Sequence, residues 1–249
     1  MGDIGLDQMN ETFTELSVVV PVYNAVDHLK NMLTSLVATT AKLKEIIIVD
    51  DHSDSITEDF IASIRTPLNI RITKTRNPEH QWTNRSWNVG VSLAQCEYVA
   101  VVNSDIVFSN LWNIYLMSAL KSATIACPME KVGGKLTRLD PVIEKNDPDM
   151  IKGACFMFKR SDLHSLFPIP PYLVHYCGDN VLADRAKALD GVSFSADCFI
   201  EHAVSQSGKL IDRKLYNEIT RRDVERYQDY FDRDMSDILA VMPPLDEAV

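Results

Sequence analysis

The sequence has no apolar run long enough to cross a bilayer, no C-x-x-C pair, no internal repeat and no low-complexity tract. Each absence removes a class of function. Without about 20 consecutive apolar residues there is no spanning helix, and a membrane-embedded polymer synthase is not expected. The five cysteines, Cys96, Cys127, Cys155, Cys177 and Cys198, are odd in number and widely spread. That pattern fits neither a disulfide framework nor a zinc knuckle, and it points to a reducing compartment. Gly133-Gly134 is not followed by G-K-[ST], so it reads as a turn rather than a phosphate loop. The N-terminal MGDIGLDQMNETFTEL is acidic and lacks the apolar stretch of a secretory signal, so a cytoplasmic location is expected. Basic residues are also in deficit. Lys and Arg number 25 against 35 Asp and Glu, for a net charge of −10. Duplex nucleic acid is held by clustered cations, so strong duplex binding is not expected.

What remains is an ordinary globular composition, 46% hydrophobic and 24% charged over 249 residues, enough for one large domain. Strand and helix signals alternate. "LSVVVPVYN" (16–24) is a continuous β-branched run, followed by "AVDHLKNMLTSLVATT" with Leu29, Leu33, Leu36 and Val37 at helical spacing. "KEIIIVDDHSD" (44–54) is a second buried strand and "DSITEDFIASIR" a helix. "NIRITKTRN" (69–77) alternates as a third strand. "TNRSWNVGVSLAQC" starts a helix near Thr83, and "YVAVV" (98–102) is a fourth strand. Four repeats of strand and crossover predict a parallel sheet with helices on its faces. After about residue 110 the rhythm changes. A helix over 111–123, a short strand "TIACPM" and a loop with a hairpin over 130–149 come first. A strand over 150–160 and a short helix capped by Ser161 follow. A helix over 178–190 then carries Val181, Leu182, Ala186 and Leu189 on one side. A strand over 192–202 and a charged helix over 212–235 complete the list, and the last residues are expected to fray. Trp82, Trp87 and Trp112 read as core or lobe packing. The chain is expected to be one domain over 1–249, with halves at about 16–110 and 111–240.

Carboxylates close several of these strands. Asp50-Asp51 end the second and Asp105 the fourth, while Pro21-Val22-Tyr23-Asn24 end the first. A single such Asp is as often a helix cap or turn former as a ligand group. Several at the carboxyl edge of one parallel sheet point to a polar ligand in a cleft there.

The order "SVVVPVYN", "EIIIVDDHSD", "NRSWNVGVSLAQCEYVAVVNSD" over residues 17–105 resembles the inverting family 2 glycosyltransferases of GT-A fold. The likeness continues more loosely through "IKGACFMFKRSDL", "CGDNVLADRA" and "FIEHAVSQSG" to about residue 208. It implies an α/β, Rossmann-like, mostly parallel sheet with helices on both faces and a C-terminal acceptor lobe. It also implies site roles. Pro21, Val22, Tyr23 and Asn24 would line the base, with Tyr23 as a stacking face. Asp51, with Asp50, would accept hydrogen bonds from base or ribose, and Arg85, Asn88 and Gly90 would lie beside the nucleotide. Asn103-Ser104-Asp105 occupies the D-x-D slot with its first acid replaced, leaving Asp105 as the metal ligand. His202 matches a late histidine over the diphosphate. Asp179 aligns with the catalytic base, with Arg185 six residues later and Gly178 in place of the usual Glu.

The activity implied is transfer of a sugar, with inversion and metal assistance, from a nucleotide-diphosphate sugar to an acceptor hydroxyl. Mn²⁺ or Mg²⁺ is the cofactor, and a UDP-sugar is the first choice of donor. A glycan, a lipid-linked sugar or another hydroxyl would be the acceptor, and a homo-oligomer is compatible. Two alternatives stay open: a catalytically inactive GT-A domain used for nucleotide binding or scaffolding, on the strength of Asn103 and Gly178, and a glycosyltransferase acting on a modified nucleobase. A GT-A nucleotidyltransferase is disfavoured because "VVVPVYNAVDHLK" holds no glycine-rich loop.

Overall fold

The computed structural model describes residues 15–67, 69–132, 135–137, 151, 153–203 and 208–232. The first half is built from β1 (Leu16–Val22), α1 (Val26–Thr39), β2 (Leu43–Asp50), α2 (Ser55–Ser63), β3 (Arg71–Arg76), α3 (Thr83–Leu93), β4 (Tyr98–Val102), β5 (Ile106–Phe108) and α4 (Trp112–Ala119). The second holds β6 (Ile125–Val132), β7 (Lys135–Thr137), β8 (Cys155–Lys159), α5 (Leu163–Leu166), α6 (Gly178–Lys187), β9 (Val192–His202) and α7 (Arg213–Phe231).

One sheet runs through both halves in the order β3-β2-β1-β4-β8-β6-β9-β5, with β7 hydrogen-bonded to β6. The first four strands are parallel, as the alternation predicts. β8 joins β4 antiparallel, β9 lies parallel to β6, and β5 returns to pair antiparallel with β9. The two halves therefore share strands rather than meeting at a linker.

The continuous apolar runs are explained by burial on both faces. Alternate residues of β1 enter different cores. Val18, Val20 and Val22 pack with Leu29, Met32 and Leu36 of α1 and with Trp112 of α4, whereas Val19 faces Trp87 and Val91 of α3. The second core also takes Val181, Leu182 and Ala186 of α6 and Val224 and Tyr227 of α7. Gly90 is required where α3 crosses the sheet, because a Cβ there would stand 2.2 Å from Val19 Cγ1. All three tryptophans are buried, as expected, and Trp82 also lines the cleft described below.

Some local expectations change. Asp54 caps α2 by accepting from Thr57 N–H at 2.8 Å. Ser161, expected as a cap, instead lies inside a 3₁₀ turn, Arg160–Asp162, and makes no cap bond. Leu189 falls beyond the end of α6 and is 49% exposed rather than on its buried stripe. The expected hairpin exists as the β6–β7 pairing, and the remainder of 138–149, like the C-terminal residues expected to fray, lies outside the described residues.

Candidate active site

Parallel pairing brings the carboxyl ends of β1, β2 and β4 to one edge, where a cleft of about 160 Å³ opens. Pro21, Val22, Tyr23, Asp51, Asn103, Ser104, Asp105 and His202 all line it, from four strand ends that are far apart in sequence. The antiparallel register of β5 on β9 places Ile106 opposite His202, and so sets His202 beside Asp105.

That pair has an unusual geometry. His202 Nε2 stands 3.2 Å from Asp105 Oδ1, and both side chains are about nine-tenths buried. The contact is ionic rather than a well-aligned hydrogen bond. On the ring's other side Nδ1 lies 2.7 Å from Glu130 Oε1. Burial alone lowers the pKa of His202, but the carboxylates Asp105 and Glu130, one at each ring nitrogen, outweigh it and push it up to about 9, so without a metal the ring is charged and Nε2 holds a proton toward Asp105. A ring nitrogen and a carboxylate oxygen converging from two strands, with a second carboxylate orienting the ring, fit a small divalent cation that would take the place of the proton between them. Among the described residues no group of three or more His, Cys, Asp or Glu forms a metal cage, so the remaining ligands would have to come from a phosphate or water.

Asp51 faces the cleft but is heavily engaged. Its Oδ1 accepts from Asn77 Nδ2 at 2.6 Å and Gln81 N–H at 2.8 Å, and its Oδ2 from Trp82 N–H at 2.8 Å. His80 Nδ1 stands 2.9 Å from the same Oδ2. These contacts fold the turn before α3, where Trp82 adopts a positive φ of 69°. The turn lays a row of rings along the cleft. Centroids are 4.1 Å apart for Tyr23 and His80, 4.5 Å for His80 and Trp82, 5.3 Å for Trp82 and His175, and 4.9 Å for His175 and Tyr216. No motif in the sequence marks His80, Trp82, His175 and Tyr216 as site residues; Trp82 is buried, as expected, and also forms part of the cleft wall. Burial and the neighbouring His80 push the His175 pKa down to about 4, so its imidazole is neutral at pH 7. His175 is positioned from α7. The fully buried Asp223 accepts three consecutive backbone N–H groups, those of Val174, His175 and Tyr176, at 3.0, 2.7 and 3.0 Å.

Five residues expected at the nucleotide do not line the cleft. Asp50 pairs with Arg76 and accepts from Ser53 N–H, since successive strand residues face opposite ways and only one of Asp50-Asp51 can face the cleft. Asn24 ties β1 to the following turn through Ser53 Oγ and Asp54 N–H. Arg85 reaches the carbonyl of Pro171. Asn88 bonds both the N–H and the carbonyl of Ile169. Gly90, likewise expected beside the nucleotide, packs under β1.

Asp179 lies in the first turn of α6 and is not among the residues that line this cleft; its Oδ2 stands next to Gly153, as does Trp87 of α3. Burial pushes its carboxyl up to about 6 against hydrogen bonds from the backbone of Asn180, Asp179 itself and Gly153. Its neighbour Gly178 has a packing reason, because a Cβ there would meet Asn84 Oδ1 at 2.1 Å. Asn84 is fixed in that place by its bonds to the carbonyls of Leu173 and Tyr176. Arg185 does not pair with Asp179 and instead donates to the carbonyls of Leu166 and Pro168.

Residues 17–138 match the profile of Glycosyl transferase family 2. Glycosyltransferase GlyG of Streptococcus pneumoniae serotype 4 (strain ATCC BAA-334 / TIGR4) is 24% identical over 218 residues, covering 86% of this chain. The chain spans 62% of the length of that curated relative. Among solved structures, the mannosyltransferase PcManGT from Pyrobaculum calidifontis, in complex with GDP-Man and Mn²⁺, superposes with a TM-score of 0.67 at 16% identity over 94% of this chain and 67% of its own. GalNAc-T7 with UDP, GalNAc and Mn²⁺ gives 0.63 at 16% identity over 81% of this chain and 47% of its own. At such identities the likeness is one of fold.

Proposed function

The chain is family 2-like in sequence and GT-A in fold, and on that premise we propose that it transfers a sugar from a nucleotide-diphosphate donor to an acceptor hydroxyl, with metal assistance and inversion. The observation that carries this reading is the Asp105–His202 pair at the cleft, whose Oδ1 and Nε2 converge to 3.2 Å from two strands. Asp105 Oδ1 and His202 Nε2 would hold Mn²⁺ or Mg²⁺, as the Mn²⁺ in complexes of the PcManGT and GalNAc-T7 structures supports. When bound, the cation supplies positive charge that stabilises the departing diphosphate. Glu130 keeps the His202 ring turned so that Nε2 faces Asp105. Asn103 leaves this corner one negative charge poorer than two acids would.

The ring row from Tyr23 to Tyr216 would hold the nucleoside, shielding it from water on one side. Asp179 would take the proton of the acceptor hydroxyl as that oxygen attacks the anomeric carbon from the face opposite the diphosphate. A carboxyl with a pKa of about 6 is mostly ionised at pH 7 and still basic enough to take a proton in the transition state. Donor hydrolysis measured across UDP-, GDP- and dTDP-sugars with Mn²⁺ tests the proposal. Release of nucleoside diphosphate from one of them supports it. Metal-dependent nucleotide binding with no turnover of any donor would favour the binding-only alternative.

A further inference from the structure

Asp51 is placed to read a nucleobase, yet three hydrogen-bond donors already hold its oxygens and the His80 ring stands 2.9 Å from Oδ2, which leaves the carboxylate little room for a further donor. A base donor could reach Asp51 only by displacing Asn77, His80, Gln81 or Trp82, and so by undoing the turn that shapes the cleft. Beside Asp51 an acceptor without a partner among the described residues lies on His80. Its Nδ1 lies 2.9 Å from Asp51 Oδ2 and 3.3 Å from the Asp51 carbonyl oxygen, so Nδ1 carries the hydrogen in the neutral ring. That tautomer presents Nε2 as a lone-pair acceptor. Nε2 is buried and has no hydrogen-bond partner among the described residues, and a buried polar atom in that condition favours a ligand that completes it. The ring is held between Tyr23 and Trp82 in the cleft wall.

We infer that His80 Nε2 accepts the imide N–H of a uracil-type base, uracil or thymine, with Asp51 acting through His80 to fix its tautomer and orientation. The inference rests on the nucleotide-sugar reading above and narrows its donor class. Cytosine N3 and adenine N1 carry lone pairs where the imide carries hydrogen, and either would oppose the Nε2 lone pair. Guanine offers an imide N–H but adds an amino group beside it, which needs a second acceptor next to Nε2, where Asp51 is already engaged by three donors. A uracil-type base presents one donor flanked by two carbonyls, and one acceptor suffices for it.

Calorimetry of the full chain with Mn²⁺ and UDP, N3-methyl-UDP, CDP and GDP tests this. The expected wild-type result is UDP binding at least about tenfold tighter than the other three, the scale of one buried hydrogen bond. His80→Phe keeps a ring between Tyr23 and Trp82 but lacks the acceptor. It should lose roughly that tenfold for UDP and bind UDP and N3-methyl-UDP alike. His80→Gln, which restores an acceptor oxygen, should recover part of the preference and covers the case in which the Phe variant does not fold. A methylation penalty unchanged in either variant would place the imide elsewhere and overturn the inference while leaving the nucleotide reading intact, as would a preference for GDP over UDP. Binding of none of these nucleotides would overturn both.

Discussion

Replacing Asp179 with Asn separates catalysis from packing. The substitution keeps the shape of the side chain, and with it an oxygen that can accept from Asn180 N–H, but removes the charge. Burial holds the carboxyl at a pKa of about 6 against 3.8 for the free group, a displacement of about two pH units. At about 1.4 kcal/mol per unit this is at most about 3 kcal/mol, and solvent at the partly exposed side chain reduces it. Because the folded pKa lies above the unfolded one, the folded state takes up the extra proton. The stabilisation is complete below about pH 3.8 and is lost as pH rises through about 6. Relative to Asp179→Asn, the wild type should therefore lose roughly 1–3 kcal/mol of unfolding free energy between pH 4 and pH 7.5, read by urea denaturation at both values. The variant should be the more stable of the two at pH 7.5. Its turnover should fall by roughly 10²–10⁴, while wild-type turnover rises about tenfold per pH unit below 6 and then levels. Near-normal turnover in the variant, with the rise through pH 6 preserved, would refute the assignment. Asp184 would not inherit the role, since its Oδ2 accepts from Tyr227 Oη at 2.5 Å on α7. A variant less stable than wild type at pH 7.5 would refute the burial argument and leave Asp179 as a first-turn partner of the helix amides.

Gly178→Ala places a methyl against Asn84 and should cost about 1–3 kcal/mol in denaturant unfolding; a neutral result would mean that Asn84 moves freely. Asp223→Ala leaves three partly buried N–H groups at 174–176 without their acceptor and should destabilise the protein by about 2 kcal/mol, measured as a fall in Tm and in the urea midpoint. With a net charge of −10, no duplex DNA binding tighter than about 1 µM is expected at roughly 0.15 M salt by fluorescence polarisation. Steeply salt-dependent binding below that value would instead bring a nucleobase acceptor to the front.

The parts of this fold that the sequence announces are those where burial is simple. β1, β2 and β4 have apolar neighbours on both faces, so their runs are unbroken and their ends, with Asp51 and Asp105, are easy to locate. β5 has three residues and too little pattern to read, yet its pairing with β9 is what joins His202 to Asp105. Glu130 lies in what looks from composition like the start of a charged loop, because β6 runs on to Val132 and carries its acid into the site. Asp50 and Asp51 are adjacent in sequence and cannot both face the cleft, a consequence of strand alternation that two consecutive acids conceal. His80, Trp82, His175 and Tyr216 share no spacing at all. Three stand in turns bound by Asp51 and Asp223, the fourth on α7, and only the tertiary fold aligns their rings.

The measurement closest to the central claim is calorimetric titration of UDP into the protein with and without Mn²⁺. Asp105 and His202 would give the metal two ligands, and the diphosphate would give it the rest, so each should bind well only with the other. Binding should appear with Mn²⁺, disappear in excess EDTA, vanish in Asp105→Ala and weaken in His202→Ala. UDP affinity that is undiminished in EDTA, or unchanged in Asp105→Ala, would contradict the account.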